Sequence, residues 1–203
     1  MTGDKYGVGN DLYCYPGTTV LRNLLDIRDD AKLADAERDL TADAADKLDF
    51  IPPPYDLDSL KAIHRHLFAR VYPWSGELRS VDISKGTTRF CTAVRIQPEA
   101  EKFFESMRRL QWLEGLDRDE LVANIAESFG DFNVIHPFRD GNGRAQRILF
   151  ENVIINAGFE VSWRDVDPDD WVDANVAAYH VNYEPLREIF ARCIGGTISF
   201  SND

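Results

Sequence analysis

Between His136 and Arg147 the chain reads HPFRDGNGRAQR, and no other stretch is so dense in groups able to do chemistry. Gly141-Asn142-Gly143 stands just before the helix that Arg144 or Ala145 is expected to open. The free N–H groups and positive dipole of a helix start favour an anion there. Glycines let the backbone approach that anion closely, with no Cβ in the way. Arg144 and Arg147 are three apart, so both fall near one side of the first turn, where guanidinium groups would bind phosphate oxygens. Asp140 would repel a bare phosphate, but it suits a phosphate that carries Mg²⁺, an ion held by one or two carboxylates plus substrate phosphates. The motif therefore points to a metal–nucleotide complex. His136, expected to end the preceding helix, titrates near pH 6.5 when unperturbed, so beside a bound phosphoryl group it can take a proton from an incoming hydroxyl. Phe138, between the polar residues, is expected to turn inward and anchor the loop. On residue types alone, a polar turn and a functional site both remain open.

The elements that must position these groups are mostly helical. TTVLRNLLDI, with Val20, Leu21, Leu24, Leu25 and Ile27 at helical spacing and a Thr cap, predicts a first helix after an irregular arm at 1–17. Asp30 to Leu48 predicts a second with a solvated charged face, and the prolines of IPPPYDL stop it. Asp58 or Ser59 is the expected cap of LKAIHRHLFARVY, with Leu60, Ile63, Leu67, Phe68 and Val71 on one face. LRSVDISKGTTRFCTAVRI is the only β-like region and suits a hairpin with its tip at Lys85-Gly86-Thr87. Further helices are expected from Pro98 to about Leu113, after the Asp117 cap, from the motif to Gly158, after Asp167-Pro168, and from Tyr183 to Gly195-Gly196. The tail TISFSND reads as loose. This describes one all-α domain over 1–203 with one small hairpin.

The 203 residues suffice for one sizeable core. The formal net charge of −12 argues against general nucleic-acid binding, which needs a cationic face, although it permits a local cationic pocket. Cys14, Cys91 and Cys193 are few and far apart, so neither a disulfide framework nor a zinc site is expected. No apolar run is long enough for a membrane span, and the N-terminus lacks the pattern of a secretory signal. A soluble, cytoplasmic protein is expected. His64 and His66 are two apart on a predicted helix and do not face each other, so no metal pair is expected there. His180 reads as structural or exposed and Trp74 as a core anchor for the hairpin base. Arg79 reads equally as a brace for the hairpin or as a surface residue.

HPFRDGNGRAQR matches the signature of the Fic family, HxFx(D/E)GN(G/K)RxxR, at every specified position. YPWSGELRSVDISKG resembles the turn leading into that family's β-hairpin flap, and DKYGVGNDLYCYPGTTVLRNLLDI resembles the start of bacterial Fic toxins of toxin–antitoxin modules. The resemblance covers about residues 5–195 and implies the Fic fold: a helical bundle core with a small β-hairpin flap, about 80–92, over the active site. It implies an adenylyltransferase that moves AMP from ATP to a Tyr, Thr or Ser hydroxyl of a target protein and releases pyrophosphate. His136 would then be the general base and Asp140 the Mg²⁺ ligand. Asn142 and the backbone of Gly141 and Gly143 would bind phosphate oxygens, with Arg144 and Arg147 on the β- and γ-phosphates. Flap residues Ile83, Ser84, Lys85, Gly86 and Thr87 would dock the target as an added strand. Asn175 lies about where the family contacts adenine, with Trp171 or Tyr179 able to stack on the ring.

Gly143 fits the adenylylating branch, whereas relatives acting as kinases carry Lys there. A Fic transferase with another donor, UTP or phosphocholine, and a non-catalytic nucleotide-binding module are the alternatives. The family's inhibitory helix, (S/T)xxxE(G/N), places a Glu on the second motif arginine, here Arg147. No Glu in this chain has Ser or Thr four residues before it. The resemblance therefore implies a separate small antitoxin supplying that helix, and targets such as the ATPase-bearing subunits of DNA gyrase and topoisomerase IV. Direct nucleic-acid and membrane partners are not expected.

Overall fold

The computed structural model describes residues 11–198, so residues 1–10 of the expected arm and the end of the tail at 199–203 lie outside the described residues. Seven helices run through the described part: α1 (Asp30–Ala45), α2 (Leu57–Phe68), α3 (Ile96–Arg109), α4 (Arg118–Asn133), α5 (Asn142–Asn156), α6 (Pro168–Tyr179) and α7 (Glu184–Cys193). Two antiparallel strand pairs complete it: the hairpin of β1 (Ser84–Lys85) with β2 (Thr88–Arg89), and β3 (Phe159–Val161) with β4 (Ile194–Thr197). In α2 the apolar residues Leu60, Ile63, Leu67 and Phe68 recur every three or four positions and are all buried, so one stripe of the helix faces the core. Helix α4 is central and packs on α5, α6 and α7, while α2 packs on α1 and α5. A smaller apolar cluster, Ile83 and Phe90 with Val81, lies under the β1–β2 hairpin. Among the described residues no helix is long and apolar enough to cross a membrane, and the three cysteines form no disulfide.

Aspartate caps start most helices. Asp29, Asp56, Asp117 and Asp167 each accept from N–H groups of the first turn, and Asp117 and Glu120 form a reciprocal capping box. Asp56, rather than Asp58 or Ser59, caps α2, because only it precedes the first turn in an extended conformation. Helix α5 is the exception that matters: Gly141 precedes it with φ +76° and no side chain caps it.

Several boundaries differ from the sequence reading. Residues 18–27 form no helix, although their apolar spacing suggested one. Cys14 bridges Leu21 in antiparallel fashion, and the Asn23 side chain accepts from the N–H groups of Leu25 and Ile27 while donating to the carbonyls of Leu21 and Ile27. Asn23 thus supplies the backbone partners a helix would have supplied, a competition its short polar side chain is suited to win. Val20 and Leu21 are buried and Leu24 is exposed. Helix α3 starts at Ile96, with Pro98 in its first turn, and ends at Arg109 rather than Leu113. Gln111, Trp112 and Leu113 take positive φ, which lets Trp112 turn inward against Tyr55. Helix α7 stops at Cys193, and Ile194–Thr197 is a strand, a second β pairing that the sequence did not suggest. Arg118 accounts for the stop: its guanidinium donates to the carbonyls of Ala191, Ile194 and Gly195.

Replacing Asp117 with Ala removes a cap remote from the signature loop. The expected result is a loss of about 1 kcal/mol in urea denaturation, with nucleotide affinity unchanged.

Candidate active site

The signature sequence spans the turn between α4 and α5 and the first turns of α5, and the backbone of that turn is tightly determined. His136 has φ +47° and Gly141 φ +76°, both left-handed. The Asn142 side chain closes the loop on itself: its oxygen accepts from the Phe138 N–H at 2.7 Å and its amide donates to the Phe138 carbonyl at 2.8 Å. What Asn142 keeps for an anion is its backbone N–H. Phe138 is fully buried, as expected, and stacks on His64 at 3.9 Å. A Cβ on Gly141 would meet the Phe68 ring at 2.3 Å, so close packing and positive φ both require glycine there.

Three tethers hold the loop from outside. Arg79 is buried, and its guanidinium donates to the carbonyls of His136 (2.8 Å), Ile135 (3.2 Å), Val81 (2.7 Å) and Cys91, so one side chain ties both roots of the β1–β2 hairpin to the histidine. Arg79 is therefore a brace, the first of its two sequence readings. Arg139 forms a buried ion pair with Asp11, Nε lying 2.6 Å from the carboxylate. Burial opposes the Arg139 charge, but the Asp11 bonds and charge outweigh it and hold its pKa above the ordinary value. His64 bonds the Asp140 carbonyl at 3.0 Å.

His136 stacks on Phe90 at 3.8 Å, and its Nδ1 lies 3.2 Å from the Asn133 carbonyl. A carbonyl only accepts, so Nδ1 carries the hydrogen and the basic nitrogen of the neutral ring is Nε2. Helix α4 ends at Asn133, not at His136, and the intervening turn folds the His136 ring back onto that last helical carbonyl.

These residues line a cavity of about 530 Å³, a size suited to a small-molecule ligand. His136, Asp140, Gly141, Asn142, Gly143, Arg144 and Arg147 of the signature line it. Trp171, Val172, Asn175 and Val176 of α6 line it as well, as do Lys85, Gly86, Thr88 and Phe90 of the hairpin segment. Of the expected hairpin residues, Lys85 and Gly86 reach the cavity, Ile83 is buried beneath the hairpin, Ser84 pairs with Arg89, and Thr87 is exposed. Of the two aromatic candidates Trp171 lines the cavity, whereas Tyr179 packs edge-on against His180. Asn175 donates to the Trp171 carbonyl at 2.8 Å, which fixes its amide along the wall.

Arg144 and Arg147 have diverged in role. The Arg144 guanidinium pairs with Glu37 of α1, donates to Thr41 at 3.1 Å and lies 4.6 Å from the centre of the Phe68 ring. Arg147 turns the other way, 5.7 Å from the centre of the Trp171 ring, and no carboxylate pairs with it among the described residues. Burial, and then the neighbouring charge of Arg144, pushes the Arg147 pKa down. Both effects destabilise its charge, so an anion beside it is favoured. Asp140 points its carboxylate at the Gly141 N–H, 2.6 Å away, at the cavity wall. No group of three His, Cys, Asp or Glu stands together among the described residues. One carboxylate beside an anion site fits a divalent ion that takes its remaining ligands from phosphate oxygens and water.

Sequence reasoning left Arg79 undecided and missed the roles of His64, Phe90, Glu37 and Asp11. His66 bonds the Ala44 carbonyl at 2.9 Å and is no partner of His64. Trp74 is in the core, but it packs on Tyr72, Tyr13 and His64, not under the hairpin.

A helical core, a hairpin at the cavity rim and an uncapped helix start behind HPFRDGNGRAQR define the class. The chain belongs to the Fic/DOC family, whose sequence profile matches residues 54–154. It is 36% identical over 191 residues to "Probable protein adenylyltransferase Fic" of Escherichia coli (strain K12), covering 94% of this chain and 96% of that one. It is 34% identical to "Protein adenylyltransferase VbhT" of Bartonella schoenbuchensis over 93% of this chain and 40% of that longer protein. Among solved structures, BepC of Bartonella tribocorum with bound AMPPNP superposes with a TM-score of 0.84 at 26% identity, over 91% of this chain and 97% of the other.

Replacing Gly141 with Ala forces a Cβ into the Phe68 ring and strains the left-handed turn. The expected cost is about 2–4 kcal/mol in urea denaturation. An unchanged midpoint would show that the ring yields freely. His64 gives a pH prediction. Its burial pushes its pKa down to about 4, against weaker opposing effects of Asp140. The unfolded chain takes up the proton near pH 6.5, which the native state refuses until about pH 4. This contribution is complete above pH 6.5 and is lost as pH falls toward 4, by about 3 kcal/mol. Denaturation at stepped pH should show that loss in the wild type and not in His64→Phe.

Proposed function

We propose that the chain is a protein adenylyltransferase, transferring AMP from ATP to a hydroxyl side chain of a target protein and releasing pyrophosphate. The single observation that carries this reading is that a base and an anion cradle line one cavity. The Nδ1 of His136 is committed to the Asn133 carbonyl, which makes Nε2 its basic nitrogen, and in the same cavity α5 opens without a side-chain cap beside Arg147. The names of the relatives and the bound nucleotide of BepC support it.

The target hydroxyl gives its proton to Nε2 of His136 as its oxygen attacks the α-phosphorus. The bond from that phosphorus to the bridging oxygen breaks, and the electron pair leaves with pyrophosphate. The first-turn N–H groups of α5 and the Arg147 guanidinium meet the charge that develops on the phosphates, and they are already in place before it develops. Asp140 would hold Mg²⁺, which when bound neutralises phosphate charge and stabilises the departing pyrophosphate. Trp171 and Asn175 would receive the adenine. The hairpin edge at Lys85 and Gly86 would hold the target segment beside His136.

The finer biological reading is that of a cytoplasmic toxin restrained by a small antitoxin. Its (S/T)xxxE(G/N) helix would bring a Glu to Arg147, the cavity guanidinium that lacks a carboxylate partner among the described residues. DNA gyrase and topoisomerase IV ATPase subunits are the proposed targets.

Incubation of a bacterial lysate with ATP labelled at the α- or the γ-phosphate tests the reaction. Label should pass to protein from the α position alone, and His136→Ala should lower transfer about 100-fold or more while nucleotide still binds. Transfer from the γ position, or a fully active His136→Ala, contradicts the proposal.

A further inference from the structure

We infer that His64 is a positioning residue for this reaction: it locks the Asp140–Gly141 peptide plane and so aims the Asp140 carboxylate and the start of α5 at the cavity. The inference rests on the function proposed above and concerns a residue that touches neither nucleotide nor target.

His64 lies on the core face of α2 at 0% exposure. An imidazole is a costly choice for such a place unless both ring nitrogens are bonded. Both are. Nδ1 lies 2.8 Å from the Gly76 N–H, which can only donate, and Nε2 lies 3.0 Å from the Asp140 carbonyl, which can only accept. The two partners therefore select one neutral tautomer, with the hydrogen on Nε2. The ring is held flat by Phe68 at 4.6 Å and Phe138 at 3.9 Å. Gly76 is a firm anchor, since its φ is +78° and a Cβ there would meet the Lys61 carbonyl oxygen at 2.9 Å.

The consequence follows from peptide geometry. A trans peptide is planar, and its C=O and N–H point in opposite directions. With the Asp140 carbonyl drawn inward to His64, the Gly141 N–H must point away from the core. It does so, reaching the Asp140 carboxylate at 2.6 Å on the cavity wall. One imidazole thus fixes both the carboxylate and the turn from which α5, with its first-turn N–H groups, begins. Phenylalanine would keep the stack and release the peptide.

The test compares His64→Phe and His64→Gln with the wild type, using AMPPNP with Mg²⁺ in isothermal titration and thermal melts alongside. In folded His64→Phe the AMPPNP dissociation constant should rise about tenfold or more. His64→Gln, whose amide can still donate to the Asp140 carbonyl, should recover most of that loss. A residue that served the core alone would lower the melting temperature and leave the affinity of the folded protein unchanged; that result overturns the inference. If His64→Phe does not fold, nitrogen-15 NMR of wild-type His64 decides. A protonated, slowly exchanging Nε2 and a bare Nδ1 are expected, and the opposite tautomer contradicts the lock. A wild type that bound no AMPPNP would sink the nucleotide reading, while the NMR tautomer would still decide whether His64 holds the peptide.

Discussion

The structure depends on keeping the six residues from His136 to Gly141 in a conformation they would not hold alone. Two of them sit at positive φ, one of them a histidine, and such positions cost energy unless the surroundings over-determine them. Here they are over-determined. Asn142 clamps Phe138, Arg79 takes the His136 carbonyl, Arg139 meets Asp11, and His64 takes the Asp140 carbonyl. Each tether engages the backbone or a side chain that the reaction itself does not need. The groups left facing the cavity are those that could meet a nucleotide.

Charge is distributed by the same logic. A chain with a net charge of −12 gathers arginines around one loop and then neutralises some of them. Arg139 is paired with Asp11 and Arg144 with Glu37, which also accepts from the buried Tyr72 hydroxyl. Burial and then Glu37 raise the Tyr72 pKa, so the hydroxyl stays a donor to that carboxylate. Arg147 is left without such a partner among the described residues, half-buried beside Arg144 and Trp171. Two arginines at equivalent-looking motif positions thus divide the work: one braces α5 against α1, and the other presents its charge to the cavity.

The legible part of the site was the local part. His136, Asp140, Gly141 and Arg147 lie within twelve residues, and helix-start physics assigns them roles without knowledge of the fold. The supporting residues were not legible, because nothing local distinguishes His64 or Arg79 from a surface residue before Asp140 and His136 are known to lie against them. Glu37 read as one charge on a solvated face until α1 was placed beside α5. Residues 18–27 misled because apolar spacing does not reveal that one asparagine will satisfy the backbone by itself. Ile194–Thr197 misled because a strand so short needs its partner, Phe159–Val161, to be recognised. The helices with aspartate caps and continuous apolar stripes were read most accurately, since there propensity, capping and burial agree.

On the function proposed, α5 begins at a place built for the phosphates of a nucleotide, with the base of His136 over the innermost phosphorus. A crystal structure of the protein soaked with AMPPNP and Mg²⁺ tests it most directly. The phosphates are expected against the backbone N–H groups of Asn142 to Arg144 and the guanidinium of Arg147, with Nε2 of His136 turned toward the α-phosphorus. Phosphates bound elsewhere in the cavity, or a His136 ring whose Nε2 faces away from them, would contradict it.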